Sequence, residues 1–312
     1  MKISNILLIS ILVVLIYLTG CEKQVHRMDT DPGKKQLVLN GSLGPDLPFK
    51  IHVSSSMEPI GPELVDLVED AEISITDDHN NTIYPQYDSM GFYLADWYPE
   101  TNKRYVITVK APTFEDASVE IIIPDKMVSV SLSGNIDNAN YPYVLKFTDN
   151  PEEGNSYMIR AWYQYKEIRH LWMEPGPGIV DTLIERRLAI LHSPDELIEY
   201  HADGNSIGDI DISMGDKGST GFLISDELFR GREHILDFKA TYIYRLDPDR
   251  PYLFIEVVSL NRDFYNFVKS YCLYYDARGT PFAEPVAILS NIENGLGYVY
   301  GYSVHKDSIK FK

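Results

Sequence analysis

The residues able to do chemistry are few and widely spread. Asp209, Asp211 and Asp216 lie along one short stretch, and Asp247 and Asp249 along another. Hard oxygen ligands at such spacing can hold a calcium ion. The glycine and terminal glutamate of an EF-hand loop are missing, however, and the same spacing describes solvated turns of an acidic chain. His192 precedes Asp195, and His201 precedes Asp203. An imidazole near a carboxylate is the acid–base half of a hydrolytic site. No H-E-x-x-H, G-x-S-x-G or G-x-x-x-x-G-K pattern occurs, so the motifs of zinc hydrolysis, the nucleophile elbow and the phosphate loop are missing. The expectation is a protein that is not an enzyme and holds no cofactor other than the candidate calcium. A hydrolase assembled from His192 or His201 and distant acids is the alternative.

One thiol is placed where chemistry happens. Lys2 gives a positive start, Ile6 to Leu18 is almost unbroken apolar sequence, and the run ends in Leu18, Thr19, Gly20 and Cys21. This layout is that of a signal peptide, and the run falls short of the roughly 20 residues that span a bilayer. The last four residues resemble the lipobox of bacterial lipoproteins, in which small residues admit a peptidase and the cysteine thiol accepts a diacylglyceryl group. The expected layout is a signal over 1–20, lipid on Cys21, and a polar tether over 21–35. Once Cys21 is acylated, Cys272 is the only other cysteine, and no internal disulfide can form.

The net charge of -18 argues against nucleic acid, which requires clustered Lys and Arg. From Gln36 onward, short Val-, Ile- and Tyr-rich runs alternate with period two between turn residues, which is the strand signal. Ile73 and Ile75 lead through Asp77, Asp78, His79, Asn80 and Asn81 into Ile83 and Tyr84, a hairpin pattern. Six or seven strands across 36–124 predict an immunoglobulin-like or transthyretin-like β-sandwich, with 58–70 as an acidic loop. A larger β-sandwich domain follows over 125–312. It carries one amphipathic helix over 261–275, with Asn261 as N-cap and Phe264, Phe267, Val268, Tyr271, Cys272 and Tyr275 on one stripe. The fold class expected is mainly β.

The chain holds 22 tyrosines and three tryptophans. Trp97, Tyr98, Trp162, Tyr163, Trp172 and Tyr298 to Tyr302 read as in or beside loops, where aromatics anchor carbohydrate or protein ligands. Packing of the two cores is the competing use for them.

Near the C-terminus stand Pro281, Phe282, Ala283, Glu284, Pro285 and Val286, then Ser290, Asn291, Ile292, Glu293, Asn294, Gly295, Leu296 and Gly297, and finally Gly301, Tyr302 and Ser303. This set resembles the C-terminal signature of the domain-of-unknown-function 4249 (DUF4249) family, lipoproteins of Gram-negative bacteria. The 225–231 segment, the helix entered through Ser259 and Leu260, and the 71–109 strands behind a lipobox resemble the family's layout as well. The resemblance implies association with the outer membrane, frequently beside a TonB-dependent receptor, and hence an accessory role as ligand-binding or scaffolding partner. A structural adhesin is the other reading. Glu22 is followed by Lys23, Gln24, Val25, His26 and Arg27 rather than by the acidic cluster common after the cysteine of surface-displayed relatives, which leaves open whether the protein faces the periplasm or the cell surface.

Overall fold

The computed structural model describes residues 34–57, 65–125, 127, 129–134, 140, 142–151, 154–171, 179–206, 209–211, 221–241, 252–277, 284 and 286–310, excepting the side chains at 165–171, 179–188, 199–206, 209–211, 272, 275 and 276. The first eight strands are β1 (Leu37–Leu43), β2 (Phe49–Ser55), β3 (Glu72–Asp77), β4 (Thr82–Ile83), β5 (Gln86–Ser89), β6 (Phe92–Ala95), β7 (Arg104–Lys110) and β8 (Ala117–Ile122). Then come β9 (Ser129–Gly134), β10 (Tyr143–Thr148), β11 (Asn155–Leu171), β12 (Ile179–Leu188), β13 (Ile190–His192), β14 (Ile198–Ser206), β15 (Asp209–Asp211), β16 (Gly221–Ser225) and β17 (Glu233–Thr241). Strand β18 (Tyr252–Asn261), helix α1 (Arg262–Ala277) and strand β19 (Gly295–Lys310) complete the order. The described residues are mainly β, with one amphipathic α-helix among them, the class the sequence predicts.

Alternation builds the first sandwich. In β7, Tyr105, Ile107 and Val109 are buried while Arg104, Val106 and Lys110 face out, so one face of the sheet is removed from water. Sheet β4-β3-β7-β8 packs its buried side chains against those of β1, β2 and β6. The predicted hairpin closes as β3–β4, with Thr76 opposite Thr82. Asp77 makes the turn by accepting from the backbone N–H groups of His79 and Asn81, both at 2.8 Å.

Core membership changes between Ile123, in the first cluster, and Met127, in the second. The second core lies between β13-β17-β10-β9 and the β14-β16-β11-β18 part of the large sheet. The last strand serves both halves. Its Gly295–Gly301 part runs parallel to β1, and its Tyr302–Lys310 part runs antiparallel to β18. Helix α1 covers the sheet face turned away from the second core. The Asn261 side chain accepts from Phe264 N–H at 3.1 Å, an N-cap in the expected place. Phe264, Tyr265 and Val268 pack on Met158, Val258 and Leu260, and burying each such side chain stabilises the fold by roughly 1.5–3 kcal/mol.

Candidate ligand-binding site

Lys50 and Leu94 are cross-strand partners, as are His52 and Phe92, while Phe49, Ile51 and Tyr93 between them fill the core. Lys50, His52, Phe92 and Leu94 therefore share the outer face of β2 and β6. The β1–β2 connection brings Leu47 and Pro48 to this face, and Tyr302 of β19 closes the side, leaving a groove of about 440 Å³. Its walls are apolar, with Leu47 48% and Leu94 38% exposed. Lys50 Nζ stands 3.9 Å above the Phe92 ring centroid, and Asp96 adds an opposite charge to the lining. The His52 ring meets Phe92 edge-on at 4.9 Å. Burial and the Lys50 charge hold its imidazole below the ordinary value, against a hydrogen bond with the Met90 backbone. Tyr302 packs its ring over Gly44, where any side chain would collide with it.

A buried polar strip continues on the sheet face that carries Tyr302. Arg160 Nη2 lies 3.6 Å from Glu256 Oε2, and Lys306 Nζ lies 3.1 Å from Glu256 Oε1. Burial pulls the Arg160 guanidinium down from its ordinary value, with Glu256 opposing. Arg160 Nε, Trp162 Nε1 and the hydroxyls of Tyr298 and Tyr302 are buried without a hydrogen-bond partner. Burial raises both phenols above their ordinary value, so they stay protonated.

Of the residues singled out in the sequence, Tyr302 lines this groove; the candidate acid–base pair falls elsewhere. Asp195 meets not His192 but His234 of β17, Nε2 to Oδ2 at 2.8 Å. The His234 ring stacks on Phe229 at 4.7 Å, and Leu197 N–H donates to Asp195 at 2.9 Å. The pair thus ties a loop to a strand. Neither His192 nor Asp195 lines the groove. Asp209 and Asp211 lie in β15, with Asp211 opposite Asp203 of β14, while Asp216, Asp247 and Asp249 lie outside the described residues, as do Leu18, Thr19, Gly20 and Cys21. Among the described residues no three His, Cys, Asp or Glu gather closely enough to hold a metal ion, and no helix is long and apolar enough to cross a membrane.

The aromatics read as loop residues are mostly strand residues. Tyr163, Tyr298, Tyr300 and Tyr302 are buried, and Trp162 stacks on its cross-strand neighbour Phe254. Trp97 packs edge-on against Tyr105 at 5.0 Å. Tyr98 is exposed, and Trp172 lies outside the described residues. Lys50, Phe92, Leu94 and Leu47 were missed. For Phe92 and Leu94 the signal is an apolar residue at the outward positions of an alternating strand.

Compared with protein-family models, residues 25–308 match the domain of unknown function DUF4249. The chain belongs to this family. No curated protein matches it. In this DUF4249 chain the C-terminal residues that carried the resemblance seat the last strand. Asn291 brackets Val299, donating to its carbonyl at 2.6 Å and accepting from its N–H at 3.1 Å. Glu293 exchanges backbone hydrogen bonds with Ser118 of β8, and Asn294 Nδ2 donates to the Asp116 carbonyl at 3.3 Å. Gly297 takes φ +96°, and a Cβ there would strike Leu39 of β1.

Proposed function

We propose that this protein is a lipid-anchored, non-enzymatic accessory of an outer-membrane TonB-dependent transporter, held by a lipid on Cys21 and carrying a small amphiphilic ligand in the Tyr302 groove. The groove is the observation that supports this reading: about 440 Å³ with Leu47, Phe92, Leu94 and Tyr302 as walls and Lys50 and Asp96 as charges. Binding pockets for small molecules have this size and this mixture of apolar wall and few polar groups. The spaced side chains suit holding a ligand. The experiment is genetic and biochemical together. Deleting the gene and deleting its paired receptor should give the same uptake defect, and the receptor should co-purify from membranes. Leu94→Arg, which fills the groove from an exposed position, should reproduce the defect while leaving the protein's membrane level unchanged. A growth phenotype independent of every transporter, or full uptake in the Leu94→Arg strain, overturns the proposal.

A further inference from the structure

A second groove, of about 610 Å³, opens at the edge of the first sandwich, where the chain crosses from β4 in one sheet to β5 in the other. Its exposed aromatic components are Tyr84, 66% exposed, and Tyr87, 39% exposed. Two large rings left in water on one short segment forgo the burial found at Tyr93, Tyr105, Tyr157 and Tyr163. Both are also held in place. Pro85 between them is buried, Gln86 Nε2 donates to the Tyr84 carbonyl at 3.0 Å, and the Tyr87 ring rests edge-on against buried Tyr93 at 5.5 Å. Rigid, exposed aromatic surface loses little entropy when a ligand lies against it.

Beside apolar Ala71 and Ile73, the lining carries polar groups of mixed kind. Thr76 and Thr82 pair their hydroxyls at 3.1 Å, and Glu72 stands opposite Lys110 across β3 and β7. Together with Gln86, these groups offer donors, acceptors and hydroxyls that act as either. An apolar ligand would leave them unpaired at a cost. An anionic one meets Glu72 in a chain of net charge -18. A sugar ring fits on both counts, because its C–H faces are apolar and its edge is a row of hydroxyls that each donate and accept.

We propose that this groove is a carbohydrate-binding site for a neutral oligosaccharide, with pyranose faces on Tyr84 and Tyr87 and hydroxyls on Glu72, Thr76, Thr82, Gln86 and Lys110. It is separate from the Tyr302 groove and stands or falls without it. The test is calorimetric titration of the full-length protein in detergent with maltoheptaose, cellohexaose, xylohexaose, mannohexaose and chitohexaose. At least one should bind. Tyr84→Ala and Tyr87→Ala should each weaken that binding by about tenfold, whereas Tyr84→Phe, which keeps the stacking face, should stay close to wild type. Both positions are exposed, so melting temperatures of the variants should match the parent. Leu47→Arg, which lies in the Tyr302 groove alone, should leave sugar binding intact. The site is overturned if none of the five sugars binds, if binding survives the double alanine variant, or if Leu47→Arg abolishes it. Capture of a protein partner through Tyr84 and Tyr87 with no sugar bound would also overturn it.

Discussion

Asp195 shows what a single residue contributes. Burial works against its ionisation, yet the hydrogen bond from His234 and the Leu197 N–H hold its carboxyl below the ordinary carboxylate value. A carboxyl depressed in the folded state stabilises the fold above its unfolded value, and the contribution is lost as pH falls through the folded one. Replacing Asp195 by Asn should cost about 2 kcal/mol at pH 5. The gap between wild type and variant should then shrink below about pH 4, as read by urea denaturation across that range. A gap that grows on acidification would contradict the pairing. The partner was not legible in the sequence, because Asp195 and His234 belong to different elements and meet only through folding. Proximity in sequence pointed to His192, which instead lies in β13 with its Nε2 at 3.5 Å from Thr241 Oγ1.

At the scale of elements, local pattern was a good guide wherever one face of a strand or helix is buried. Tyr105, Ile107 and Val109 announce β7, and Asn261 with Phe264 announces the start of α1. The groove was hidden because it joins Leu47 and Lys50, Phe92, and Tyr302, which come from three separate segments, the last from β19. Pairing across such distances has no local signal. The β1–β19 pair rests on Gly297, whose φ of +96° and contact with the Leu39 backbone leave no place for a side chain. Gly297→Ala should therefore destabilise the protein by about 3 kcal/mol, seen as a lower urea midpoint with little change in slope. An unchanged midpoint would show that the strand can shift to admit a Cβ.

For the whole molecule, one strand bonded to both halves means that neither half owns all of its sheet. Residues 36–124 on their own would lack the parallel neighbour of β1, including Val299 of the first core, and should show no cooperative unfolding transition. The full-length chain should unfold in one transition rather than two. A sigmoidal melt of 36–124 alone, near the full-length midpoint, would contradict this. The shared strand also sets the order of events in folding. Leu37 can pair early with Ser55 on its β2 side, but its other side waits for Gly295, which follows β2 to β18 in the chain. Such late closure is slow and leaves an open edge exposed in the meantime. A chain cut short before Gly295 should therefore keep the β1 edge open and aggregate where the uncut chain does not.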